Sequence, residues 1–450
     1  MDWTRDRARD TIDRVLKLAA GSECEVQLEA SASSHTRFAR NEITTSGHAE
    51  DLRLVVTLRR EGRAGTVLTN DLSQDGLKEA VTRAEATRAV MPPDPEAVEL
   101  LPTQEYPVID KHDERAAAAR AAERAPGVKA ALREAGKRRL TAAGFFETGA
   151  AWRAIGNSTG NFGWHRETLT GFSATMRTGD GTGSGWAEAS APRFDAVDPL
   201  AVVRRAARKG SESARPRPLA PGDYTVILEP AAIAALLQTL QFGSLSARAA
   251  DEGRSPFSKQ GGGNRIGEKI VHEAVTIRSD PFDARVPGGP WSGGSGFLGQ
   301  FAAGSFGLPA RRVAWVEKGV LKTLHTDRYW GKVTKTEPTP FPAGIVMDGG
   351  TGTIDDLVAS TERGLLVTRF WYIRTVNPQT AQVTGLTRDG LFLIEQGRIA
   401  GPVVNLRFNE SPVVMLQNVE ALSAAVPAGR MVLPAVKARA FTFTSTSDAV

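Results

Sequence analysis

Between residues 215 and 222 the chain reads Arg215-Pro216-Arg217-Pro218-Leu219-Ala220-Pro221-Gly222. Proline removes a backbone donor and fixes φ, so neither a helix nor a central strand can run through this stretch. The polypeptide must change character here. At 450 residues more than one core is expected, because single cores rarely grow beyond roughly 250–300 residues. The break therefore divides the chain into an N-terminal domain over 1–214, a Pro-rich linker over 215–222 and a C-terminal domain over 223–450.

On the N-terminal side the hydrophobic period switches between 3.6 and 2. Ile12, Val15, Leu16 and Ala19 fall at i, i+3, i+4 and i+7 and predict an amphipathic helix ending near Gly21. Glu23 to Glu29 reads as a first strand. Leu52, Leu54, Val56 and Leu58 alternate with Arg53, Val55, Thr57 and Arg59, a half-buried strand that turns at Glu61-Gly62 and returns over Arg63 to Thr69. Ser73 is placed to cap a helix carrying Leu77, Ala80, Val81 and Ala84. Prolines 92, 93, 95 and 102 make Met91–Tyr106 an exposed connector. Helical sequence returns between His112 and Lys137, followed by β-type segments over Leu140–Glu147, Trp152–Asn157, Trp164–Arg177 and Gly185–Ser190, and a helix over Pro199–Ala214.

Past the linker, Tyr224–Leu228 reads as a strand, and Ile233, Leu236, Leu237 and Leu240 mark one face of a helix. Gly-rich loops follow at Gly261–Gly263 and Gly288–Gly296. Strands are expected over Arg312–Glu317, Val320–His325, Gly364–Val376, Leu391–Glu395 and Arg398–Phe408. The fold class is α+β: an N-terminal sheet with helices and a β-rich C-terminal domain. Neither an internal repeat nor a coiled coil is evident.

The formal net charge of +5 is mild, and Lys and Arg are interspersed with Asp and Glu along the chain. A nucleic-acid reader concentrates its charge on one face, so no nucleic-acid partner is expected. The opening Met1-Asp2-Trp3-Thr4-Arg5-Asp6 leads into a charged amphipathic segment instead of the apolar core of a secretion signal. No stretch approaches the ~18 apolar residues of a membrane span. A cytoplasmic protein with no membrane contact is expected.

Catalytic signatures are sparse. A zinc hydrolase needs about three converging His, Cys or carboxylate ligands. The six histidines are His35, His48, His112, His165, His272 and His325. His272-Glu273-Ala274-Val275-Thr276 comes nearest to a zinc-binding pattern, but Thr276 stands where a second histidine belongs, and Val275–Ile277 reads as strand. An autonomous metal peptidase would have to bring His272, Glu273 and His325 together with a further ligand. No G-x-S-x-G elbow is present. The single cysteine, Cys24, lies in the first strand and reads as a packing residue. The glycines and lysine of Gly261–Lys269 lack the G-K-[ST] of a phosphate loop and read as flexible loop. Asp180, Glu188, Asp348, Asp355 and Asp356 are assigned turn or capping roles.

The order of these signals resembles the TldD/TldE (PmbA) family. The similarity is carried by Leu58–Thr66 followed by Thr69–Leu77, by Gly222–Pro230 opening the second half, and by Gly253–Phe257 with Ile266–Ile270, similar to the family's loop and helix. Arg312–Leu324 and Leu391–Ile399 complete it. In catalytic members, the resemblance implies, the helix after the Tyr224-type strand carries HExxxH, in which two histidines bind zinc and the glutamate activates water. Gln238-Thr239-Leu240-Gln241-Phe242-Gly243 corresponds to it here, and no histidine lies between His165 and His272. The chain is therefore expected to be a TldE-like subunit of a bacterial zinc metallopeptidase complex, with no catalytic or metal site of its own. Zinc is expected in a TldD-like catalytic partner, and the pair would hold an unfolded or leader peptide by strand addition. Arg369, Trp371, Tyr372 and Arg374 are the candidate peptide-binding residues. The rival without enzyme activity is a structural or regulatory binding protein, associated with nucleic acid on the strength of a pI near 9.4. Segments 281–310 and 334–356 depart from the family pattern, notably at Gly304–Pro309 and Phe341–Asp356.

Overall fold

A computed structural model of the chain describes residues 3–293 and 303–447. Six antiparallel strands form the first sheet: β1 (Glu23–Ala39), β2 (Glu42–Arg60), β3 (Arg63–Thr69), β4 (Leu140–Asn157), β5 (Phe162–Thr178) and β6 (Ser184–Ala191), in the order β3-β2-β1-β4-β5-β6. Their alternation puts Cys24, Val26, Leu28 and Ala30 on one face. Helices cover that face. Helix α1 (Arg5–Leu18), capped by Thr4, and α2 (Gln74–Val90), capped by Ser73, bury Ile12, Val15, Leu77 and Ala80 against it. Beyond a short α3 (Glu114–Ala118), α4 (Ala121–Arg138) and α5 (Pro199–Glu212) close the other half over Phe146, Phe172 and Met176. The opposite face is polar: Arg153 and Lys111 pair with Glu167 at 3.0 and 2.5 Å beside the buried His165.

The second half continues with β7 (Gly222–Leu228), α6 (Pro230–Thr239), β8 (Ile277–Ser279), β9 (Val313–Glu317), β10 (Val320–Leu321), β11 (Ile345–Met347), β12 (Arg363–Val367), β13 (Phe370–Asn377), β14 (Gln382–Thr387), β15 (Leu391–Glu395) and β16 (Arg398–Pro402). It ends with β17 (Leu406–Glu410), β18 (Val419–Leu422), β19 (Val426–Ala428), β20 (Met431–Leu433) and β21 (Val436–Thr446). They form a large sheet, β13-β14-β17-β21-β7-β12-β15-β16 with β18 on β21, and a small one, β10-β9-β8-β11-β20-β19. One apolar core joins α6 to both sheets through Leu236, Trp315 and Phe408. This is the α+β arrangement expected.

Several element boundaries differ from expectation. The two segments expected over Leu140–Asn157 are one strand, and β1 runs ten residues past Glu29. His112–Lys137 is two helices, interrupted at Ala119-Arg120. Gly364–Val376 and Arg398–Phe408 each divide into two strands, and the strand from Val320 stops at Leu321. Ile266–Ile270 forms turns and not a helix. The Met91–Tyr106 connector is not wholly exposed: Leu100 is buried, and Tyr106 packs edge-on to Trp291 and donates to the Gly307 carbonyl at 2.9 Å. Residues 294–296 of the Gly288–Gly296 loop lie outside the described residues. The Pro-rich stretch is pinned to the second half, where the Arg217 amide donates to the Pro402 carbonyl at 3.0 Å and its own carbonyl accepts from Val404.

Candidate functional site

Two places could carry the chemistry: the end of α6 and the free edge of β13. Helix α6 starts at Pro230, whose fixed φ suits a first helical turn. Lys209 of α5 reaches Glu229 just before it at 2.5 Å and ties the two halves together. The helix buries Ile233, Leu236 and Leu237, then widens into a single π-turn over Leu240–Ser244. Such turns are frequent at functional sites. Here it is held by packing. Leu240 and Leu245 line an apolar cavity of about 30 Å³ together with Leu237, Phe257 and Trp315. Phe242 stacks on Phe341 at 6.0 Å, and the Gln241 amide donates to the Pro342 carbonyl.

His325 completes this cluster. Its Nδ1 lies 3.0 Å from Thr339 Oγ1 and its Nε2 3.4 Å from Ser305 Oγ, and its ring meets Phe341 edge-on at 5.5 Å. Burial pushes its pKa down to about 4, against the weaker opposing pull of Asp327. His272 is engaged elsewhere: its Nδ1 accepts from the Ala274 amide at 3.2 Å. Among the described residues no three His, Cys, Asp or Glu side chains are grouped so as to hold a metal ion. The residues at the end of α6 do not suit zinc. At the three aligned positions Gln238 offers a neutral amide, Thr239 donates its hydroxyl to the Leu236 carbonyl at 2.7 Å, and Gly243 has no side chain.

The second place is built around Arg369. β13 is the outermost strand of the large sheet and, among the described residues, pairs with β14 alone. The pairing is broken by a bulge between Trp371 and Arg374, where Tyr372 adopts φ 55°. Bulges of this kind re-aim side chains. Trp371 is 43% and Tyr372 62% exposed. Arg374 stacks on the Tyr372 ring at 4.2 Å, and Arg388 lies 4.8 Å from the Trp371 ring. Arg369 sits between Trp186 of β6 at 4.0 Å and Trp371 at 5.0 Å, and pairs with buried Asp389 at 3.0 Å. Asp389 also accepts from Ser184 Oγ at 2.7 Å. The four residues expected from the sequence are thus grouped on one edge.

Trp186, Ser184, Arg388 and Asp389 belong to the same group and were not expected. Ser184 and Trp186 lie far from β13 in the chain and carry no local motif. Glu188, given a turn or cap role in the sequence reading, instead has its carboxyl pKa raised by burial, against the lowering pull of Arg369. Asp180 and Asp356 do serve as turn and cap residues, while Asp348 pairs with Arg278.

Family profiles match almost the whole chain. One described as the PmbA/TldA metallopeptidase C-terminal domain covers residues 221–445, its central domain 107–213 and its domain 1 residues 24–87. No curated protein matches. Solved structures with the same fold include TldE from Thermococcus kodakarensis, with TM-score 0.83 and 20% identity over 97% of this chain and 100% of that one. A proposed modulator of a DNA gyrase from Thermotoga maritima has TM-score 0.83 and 17% identity over 97% and 100%. A second such protein, from Bacteroides thetaiotaomicron, has TM-score 0.83 and 21% identity over 98% and 99%.

Proposed function

Since the chain belongs to the PmbA/TldD family of metallopeptidases, we propose that it is a cytoplasmic, TldE-like subunit that does not itself cut peptides. It joins a zinc-bearing TldD-like partner and helps hold unfolded or leader peptides for cleavage there. One observation carries this reading. Gln238, Thr239 and Gly243 stand at the helix end where catalytic members, by the resemblance, place a histidine, the glutamate and the second histidine. Water with a pKa of about 15.7 has to be brought near neutrality to attack an amide, and an amide, a threonine hydroxyl and a glycine do not do that.

The peptide contact is the open edge of β13. An unpaired edge offers main-chain donors and acceptors to an extended chain whatever its sequence. Trp371 and Tyr372 supply apolar area beside that edge, and Arg369 and Arg374 supply charge. Among the described residues no helix is long and apolar enough to cross a membrane, consistent with a cytoplasmic complex.

Co-expression with a TldD-like chain tests the reading. The two should co-purify with zinc in the partner, peptide cleavage should vanish when this chain is omitted, and Trp371→Ala with Arg374→Ala should weaken peptide capture. Full peptidase activity of this chain alone, with stoichiometric zinc, would overturn it.

A further inference from the structure

Along the sequence, lysines and arginines are interspersed with carboxylates and small residues. Folding gathers one set of them. Residues 121–139 and 199–212, which form α4 and α5 with the α4 cap, hold ten lysines and arginines against three glutamates. The rest of the chain is therefore slightly acidic, although the whole carries +5. The two helices pack side by side on the first sheet.

On their outer face Lys129, Arg133, Lys137, Arg139, Arg204 and Arg208 are all exposed, and none has a carboxylate partner among the described residues. Some exposed arginines elsewhere do find one, as Arg115 does with Asp195 and Arg193 with Asp110. Here the nearest acid, Glu134, is already taken by Arg138 at 2.8 Å. That hydrogen bond chiefly, with the charges of Lys137 and Arg204, holds the Glu134 carboxyl below its usual range, so cations from both helices converge on one spot.

The arrangement is a regular array. Lys129, Arg133 and Lys137 stand at i, i+4 and i+8, giving steps of about 6 Å along the helix axis. Arg204 and Arg208 form a second row on the neighbouring helix. Like charges at i, i+4 cost helix stability, and three such pairs are present, so the folded chain alone gains nothing from them.

What complements such a face can be narrowed by chemistry. No aromatic residue lies on either helix, so there is no platform on which single-stranded bases would stack. No large apolar side chain projects with the cations, so the face lacks both the anchors of a protein–protein hot spot and the wedge of a membrane-surface helix. A dense, evenly spaced polyanion remains. We propose that the outer face of α4 and α5 binds the phosphodiester backbone of duplex nucleic acid through charge, without reading base sequence.

Fluorescence anisotropy with the full chain and labelled mixed-sequence DNA and RNA duplexes tests this, with poly-glutamate and phosphatidylserine vesicles as comparisons. Six released counterions give a log–log salt slope of about −5, and roughly a thousandfold loss of affinity between 50 and 200 mM salt. Unequal binding of the two duplexes would identify the preferred source. Arg133→Gln with Lys137→Gln and Arg204→Gln should flatten the slope by about three, and Lys129→Gln with Arg208→Gln by about two should the first variant not fold. The proposal fails if neither duplex binds at 50 mM salt, if the slope is the same in a folded variant, or if poly-glutamate or vesicles bind more tightly than both duplexes.

Discussion

Replacing Asp389 should loosen the joint between the two halves of the molecule. Its carboxylate, 3% exposed, accepts from Ser184 Oγ on β6 at 2.7 Å with one oxygen and pairs with Arg369 Nη1 at 3.0 Å with the other. Arg369 is itself largely enclosed between Trp186 and Trp371. Removing one member of a buried pair leaves the other charge uncompensated, at a cost of about 3–5 kcal/mol. Asp389→Ala should therefore destabilise by that amount. It also places alanine at φ 59°, where asparagine and aspartate are better tolerated. Asp389→Asn keeps the tolerance and an acceptor for Ser184 while losing the charge, so it should cost less than Ala by about 1–2 kcal/mol. Ser184→Ala leaves the ion pair intact and should cost only about 1–2 kcal/mol. Urea unfolding at pH 7, followed by tryptophan fluorescence, reads all three at the first transition. An Asp389→Ala protein within 1 kcal/mol of the parent, or an Asn variant as damaged as the Ala one, would refute the reasoning.

Two further outcomes follow from buried titratable groups. Cys24 has no exposed surface, and burial first, then the Glu25 charge, pushes its thiol pKa up to about 12; an aromatic disulfide reagent at pH 8 should leave the native chain untouched and titrate one thiol in guanidinium, whereas rapid native labelling would show the strand open. His165 is 6% exposed, and burial holds its pKa down at about 4. It stays neutral when folded but protonates near 6.5 when unfolded, so its contribution is full above about pH 6.5 and is lost toward pH 4, by up to ~3 kcal/mol. Unfolding free energies between pH 7.5 and 4.5 should fall less steeply in His165→Gln, and identical profiles would count against this.

Much of the element order was legible because one face of each element is apolar. What escaped was polar or non-local. β1 was under-read past Glu29 because from Ser31 to Arg37 the side chains on both faces are polar or alanine. Their inward face is covered by Arg124 of α4, 1% exposed, whose guanidinium donates to Thr36 Oγ1 at 3.3 Å and Thr148 Oγ1 at 3.0 Å. A strand that buries threonines against an arginine has no hydrophobic alternation to detect. The break between α3 and α4 has no proline or glycine to announce it. Arg120 turns the chain in an extended conformation, and its amide donates to Glu123 at 2.8 Å. The β13 site was half legible: its own residues are contiguous, but Trp186 and Ser184 come from β6 and meet it only across the joint. The charge of α4 and α5 was hidden for the same reason, since helical spacing and side-by-side packing bring together what the sequence intersperses.

The end of α6 shows how packing alone can hold a helix end in this fold. A set of imidazoles and a carboxylate beside an apolar core is stabilising only with an ion to satisfy it, because each donor otherwise carries a desolvation cost. The groups that fill this turn need no ion. Leu237 and Leu240 face Phe257 and Trp315, Phe242 stacks on Phe341, and Gln241 meets a carbonyl. Beside the turn, β7 and β12 pair through Val226, Ile227 and Leu228. Packing of the groups in the turn fixes the helix end.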